Sequence, residues 1–209
     1  MMSFVLAGGK PTLNYRDHAY TITPSGSSSH TASGLSFGPA VGARYIVAAI
    51  GFTASSNLSS VTIGGVAATI LVTAAANTRT AIAIAKVPTG TSGSVVITGT
   101  SLIASGISVY SLSYIRSASA TDTASDSSGP TISLTTDADA RGVIVATVAS
   151  LITGTGSWSN ATVDFNTNTG STFVHTSASY VATAAVTQAI SCTTSGGAAT
   201  TTGVAAAFR

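Results

Sequence analysis

The chain has 209 residues, only 7% of them charged, with a formal charge of +2. Its eight basic residues (Lys10, Arg16, Arg44, Arg79, Lys86, Arg116, Arg141, Arg209) are scattered singly, which excludes the basic stripe of a nucleic-acid reader. Mean hydropathy is +0.47, but no apolar run approaches the roughly 20 residues of a membrane-spanning helix.

An outer-membrane barrel also alternates along its strands. Aromatic residues are 6%, too few for two interfacial girdles, and "MMSFVLAGGKP" has no basic segment ahead of its short apolar stretch, so no secretion signal is expected. Glu is absent, Gln188 is the one Gln, and Lys10 and Lys86 are the two Lys. Those types normally cover exposed helix surface. Ala, Thr, Ser, Gly and Val take their place and suit strands and turns, so the chain reads as all-β. Cys192 is the sole cysteine; without a disulfide, assembly in a reducing cytoplasm is expected. Few repulsive surface groups also favour association with copies or partners.

In chain order, residues 1–22 differ from the rest. Lys10, Arg16, Asp17 and His18 stand close together among Gly8, Gly9 and Pro11, and the segment reads as an arm or edge leading into a domain at 23–209. "TPSGSSSH" at 23–30 is a polar loop. "RYIVAAIGFT" at 44–53 is a near-continuous apolar run, as for a strand buried on both faces. "SVTIGGVAAT" predicts a tight hairpin at Gly64-Gly65. In "TRTAIAIAKV", Ile82 and Ile84 fall on one face and Ala81, Ala83 and Ala85 on the other.

"GSVVITGT" (93–100) and "SGISVYSLSYI" (105–115) continue the strands. Ile107, Val109, Ser111 and Ser113 share one face of the second; Ser108, Tyr110, Leu112 and Tyr114 share the other. "SASATDTASDSSGP" at 117–130 reads as a long polar connection between halves of the fold. Strands are then expected in 131–136, 141–150, 157–165, 171–191 and 202–208, the segment 171–191 turning near 182–185. "RYIVAAI" echoes "RGVIVATV", suggesting two equivalent strands. About a dozen short strands at this spacing predict an antiparallel β-sandwich, jelly-roll or Ig-like, with an extended N-terminal arm.

The motifs carry little chemistry. "GLSFG" at 34–38 matches the G-x-S-x-G of serine hydrolases, which needs a strained strand-to-helix turn; Pro39 follows and no helical pattern does. His18, His30 and His175 lack zinc-ligand spacing. Asp137 and Asp139 stand two apart without the glycine and further acid of a calcium loop, and Asp122 and Asp126 fall in the polar connection. No nucleophile, base and orienter assemble, so no enzyme is expected, and no cofactor or metal. Trp158, Tyr110 and Tyr180 could stack on sugar rings, although core packing is the simpler role for Trp158.

The segments "VTIGG", "VPTGTSGSVVIT" and "WSNATVDF", within residues 30–208, resemble a β-sandwich module of small virion-surface proteins in tailed phages and phage-like elements of alphaproteobacteria. The resemblance implies a virion structural protein assembled in the host cytoplasm. It points to a capsid decoration or cement protein bound to the major capsid protein or other virion proteins. Phe4, Lys10, Tyr15 and Arg16 would then be contact residues of the arm, and a homo-oligomer, a trimer by analogy, is expected, with no nucleic-acid or membrane partner. A head or tail spike binding host polysaccharide and a tail or neck subunit are the alternatives.

Overall fold

A computed structural model describes residues 11–151, 154–168, 173–195 and 201–209. Within them the chain is all-β, built of antiparallel sheets packed on one another. The first part of the chain supplies β1 (Thr12–Ser36), β2 (Tyr45–Thr53), β3 (Ser60–Ile63), β4 (Val66–Ala67), β5 (Thr69–Ala75), β6 (Arg79–Lys86) and β7 (Ser92–Ser113). They form one sheet in the order β4-β3-β7-β2-β6-β5, with β1 along the other side of β7.

This first sheet curls into a nearly closed barrel. The long β1–β7 ribbon loses register between Ile22 and Ser27 and again between Ser27 and Ser29, and such irregularities bend a strand. The two halves of β1 are thereby brought together, and the Asp17 carboxylate accepts the Ser36 backbone N–H at 2.8 Å. Gly64 and Gly65 have φ of 59° and 79° between paired Ile63 and Val66, the left-handed pair a two-residue hairpin turn requires. Alternation fills the barrel: Ile46, Ala48, Ile50 and Phe52 of β2, Ala81, Ala83 and Ala85 of β6, and Ile107 and Val109 of β7 point inward.

The remaining strands are β8 (Asp122–Asp126), β9 (Thr131–Ala138), β10 (Val143–Ser150), β11 (Gly156–Ser159), β12 (Thr162–Asn168), β13 (Val174–Val181), β14 (Val186–Thr194) and β15 (Thr201–Phe208). They make a middle sheet, β12-β13-β10-β15-β8, and an outer sheet, β11-β14-β9. The middle sheet is covered on both faces. Val143, Val145, Val204, Ala206 and Phe208 meet Val47, Ala49, Ile82 and Ile84 of the barrel. Ile144, Ala146, Val148, Ala205 and Ala207 meet Ile132, Leu134, Ile190 and Cys192 of the outer sheet. Every described residue of β10 and β15 is buried, which is why these strands read as continuous apolar runs.

Several sequence expectations change, among them the polar loop at 23–30, which runs as strand within β1, and the strand at 157–165, which is split into β11 and β12. Residues 1–10 of the expected arm lie outside the described residues, but Thr12–Ile22 are the first half of β1, paired along Ala104–Ser113. The boundary expected at residue 22 therefore falls inside a strand. The polar connection at 117–130 contains β8, which pairs with β15; an edge strand with one solvated face needs few apolar residues.

Candidate functional site

The three aromatics proposed for sugar stacking do not form a surface platform. Tyr110 is fully buried between the barrel and the middle sheet. Trp158 and Tyr180 pack half-buried against the cluster between the middle and outer sheets, and the Trp158 indole N–H donates to Thr176 Oγ1 at 2.7 Å. Trp158 thus packs against the core while part of its surface stays exposed. Of the expected arm contacts, Phe4 and Lys10 lie outside the described residues. Tyr15 is half-buried with its ring edge-on to Tyr110, and Arg16 Nε donates to Ser111 Oγ at 2.7 Å. Both hold β1 to β7 and remain half-exposed.

The structure instead gathers polar chemistry along a seam between the barrel and the middle sheet. His18 of β1 stacks on Phe165 of β12, with ring centroids 3.4 Å apart and planes 11° apart. Its Nε2 lies 3.1 Å from Nδ1 of His175 on β13, and His175 Nε2 lies 2.9 Å from Thr147 Oγ1 on β10. The Thr147 hydroxyl is also placed to donate to the Thr176 carbonyl. One arrangement satisfies all three contacts, with His175 donating from Nε2 and His18 donating to His175 Nδ1.

His175 is fully buried because the barrel wall has a gap for it. Gly51 and Gly106 are cross-strand partners on β2 and β7. A Cβ on either would sit 2.7 or 2.5 Å from a ring carbon of His175. Glycine inside a strand marks such a close approach.

Beside the histidines, Ser177 donates to Ser108 at 2.8 Å and the Tyr110 hydroxyl donates to Asp164 Oδ2 at 3.1 Å. Asp164 falls where β12 skips register between Val163 and Phe165, and a bulge re-aims side chains in this way.

Burial governs the electrostatics of the seam. It lowers His18 to about 4, opposed by the charge of Asp17. It drives His175 well below the usual histidine range, helped by His18 and opposed by a hydrogen bond to the Ala49 backbone. Both rings are neutral near pH 7. Burial also raises Tyr110 well above its usual value, with Asp164 adding to it. It raises Tyr15 to about 12, with Asp17 and Asp164 adding. Asp164 itself is raised by burial, against hydrogen bonds from Ser179 and Tyr110. The seam therefore joins β1 and β7 to β10, β12 and β13 through hydrogen-bonded groups, with its histidines and tyrosines neutral near pH 7.

The remaining motifs resolve locally. Ser36 of "GLSFG" ends a strand of an antiparallel sheet, and Phe37 after it plugs the barrel. His30 is buried with Nδ1 2.8 Å from Ser105 Oγ. Asp122 accepts the Asp137 N–H at 2.7 Å and Asp126 the Ser133 N–H at 2.8 Å, so carboxylates of β8 tie the middle sheet to the edge of β9. Asp139 pairs with Arg209 at 2.9 Å. Burial pushes the Cys192 thiol up to about 12. Among the described residues no three His, Cys, Asp or Glu converge as metal ligands.

Arg44 was not singled out from the sequence. It is fully buried and donates to six carbonyls: Phe37, Gly38, Pro39, Val87, Thr89 and Gly90. The available signal was an Arg entering an apolar strand beside two Gly- and Pro-containing loops, whose carbonyls have no strand partner.

A scan against protein-family models finds none that matches the chain, and a search of curated proteins finds no match.

Proposed function

We propose that this chain is a non-enzymatic structural protein of a phage virion, a decoration or cement protein seated on the capsid. Its partners are the major capsid protein or other virion proteins and further copies of itself. The observation that carries the reading is the solvent face of the outer sheet. There the register places Ser157, Thr193 and Thr131 in one row and Ser159, Ser191 and Ser133 in the next. Thr135 with Ala189 and Asp137 with Thr187 follow. Asp137 is the sole ionic group in these rows, and Thr187 donates to its carboxylate at 2.6 Å.

Covering such a face against a partner costs little. A hydroxyl is far cheaper to desolvate than an ion, and interface cores are depleted in charge. The resemblance of "VTIGG", "VPTGTSGSVVIT" and "WSNATVDF" to virion-surface modules supplies the setting. A spike that binds host polysaccharide is the second reading; of its three aromatics, Tyr110 is buried while Trp158 and Tyr180 are half-buried.

The test is attachment. Purified full-length chain mixed with phage heads lacking accessory proteins is expected to bind saturably. Thr135→Lys with Ser191→Lys, both at solvent-facing rows, is expected to abolish binding while the thermal unfolding midpoint stays within a few degrees. No binding by the unaltered chain, or equal binding by the double variant, would remove the outer face from the account.

A further inference from the structure

The His18–His175 pair does more than fill space, because it joins an edge strand to the body of the molecule. Thr12–Ile22 hydrogen-bonds to β7 on one side, and its side chains are half-buried or exposed. Toward the middle sheet it is held by His18, on Phe165 and His175, and by Tyr20, whose ring stacks on Phe173 at 5.8 Å. By contrast β10 and β15 are buried on both faces. Leu13, Tyr15, Ala19 and Tyr20 also pack half-buried against the clusters, but the segment is less enclosed than β10 or β15, and less enclosed segments open first.

We propose that the first half of β1 is an acid-released strap, latched to the middle sheet at neutral pH by the His18–His175 hydrogen bond and the His18–Phe165 stack, and unlatched by protonation while the layered body stays folded.

A first proton goes to His18 Nδ1, which leaves the Nε2–H···His175 Nδ1 bond in place but charges a half-buried ring lying flat on Phe165; a second must go to the buried His175. The two rings share one N–H···N contact, so a doubly protonated pair would set N–H against N–H. His175, enclosed by Gly51, Gly106 and Ala149, has no carboxylate bonded to it among the described contacts.

The groups facing the pair are few. Asp17 on β1 is engaged by the Ser36 and His18 N–H groups. Asp164 on β12 is engaged by Tyr110 of β7. Tyr15 of β1 stands edge-on to Tyr110, and β10 contributes the hydroxyl of Thr147. Burial holds both histidines neutral well below the usual range, which places release in mild acid rather than near pH 7.

Amide hydrogen exchange of the full chain from pH 7 to pH 4, corrected for intrinsic rates, tests this. Protection of Tyr15–Thr21 is expected to fall at least tenfold while that of Val143–Val148 is retained. His18→Phe keeps the stack and cannot be protonated, so it is expected to keep the strap protected at pH 4. Should that variant fold poorly, His18→Gln, neutral and able to donate to His175, serves the same purpose. Unchanged protection of the strap at pH 4, simultaneous loss in β10, or equal loss in whichever neutral variant folds would each overturn the proposal.

Discussion

Arg44 carries a full charge into the wall of the barrel and meets carbonyl oxygens rather than a carboxylate. Each of those six oxygens belongs to a loop, residues 37–39 or 87–90, and would otherwise be short of a donor. Arg44→Met leaves them unpaired, and a buried acceptor left without its donor costs about 1–3 kcal/mol. Arg44→Lys supplies at most three donors from one point and should recover only part of that loss. Urea denaturation of both variants checks this; equal stability of Arg44→Met and the parent would contradict it. The glycine gap around His175 makes a second residue-scale prediction. Gly106→Ala should cost roughly 1–3 kcal/mol through overpacking. The cost should shrink when His175 is also Ala, because the two positions share one contact. Gly51 and Gly106 were visible in the sequence as glycines interrupting strands, but nothing there said which side chain fills the gap or that the two lie across from each other.

At the scale of elements, much was legible because strand alternation is strict. The facing of Ile82 and Ile84 away from Ala81, Ala83 and Ala85 holds in the packed clusters. So does the tight turn at Gly64-Gly65 and the break between β13 and β14. The echo of "RYIVAAI" in "RGVIVATV" corresponds to β2 and β10, central strands of their sheets whose Val47 and Val145 share one cluster.

What escaped was long-range. Curling of the β1–β7 ribbon depends on register slips that no local pattern announces, and β8 hides in a polar segment because its function rests on Asp122 and Asp126. These carboxylates act as substitute strand partners for β9. Asp126 is desolvated, which would raise it, but hydrogen bonds from Ser133, Ser128 and Ser127 outweigh that and hold it below the usual carboxylate range. Its charged form thus favours the fold above the unfolded value of about 3.9, and the benefit is lost as pH falls through the lower folded value. Asp126→Ala should speed exchange of the Ser133 amide and cost about 1 kcal/mol at pH 7. Unaltered exchange at Ser133 would show that the staple does not hold.

For the whole molecule, layering explains the composition. A middle sheet covered on both sides needs apolar strands, small Ala and Gly let the layers approach, and hydroxyls rather than ions finish the outside. The same burial makes the molecule acid-sensitive. His18 has a folded value of about 4 against about 6.5 unfolded, so in that window the unfolded chain binds more protons and stability rises with pH. The slope is up to about 1.4 kcal/mol per pH unit for that histidine. His175 and His30, both lowered chiefly by burial, act in the same direction. Asp164, raised by burial, acts in the opposite direction below its own value. Chemical denaturation at steps from pH 7 to pH 4 should show falling stability, with a shallower slope in His18→Phe; a flat profile would contradict the burial argument.

Assembly is the claim to which the ion-poor exterior leads. Quantitative mass spectrometry of purified phage particles from the producing host measures it directly, as copies of this chain per major capsid subunit. A decoration protein predicts a ratio of the same order as the shell subunit itself. A handful of copies per particle would contradict decoration, and absence from particles would contradict a virion role altogether.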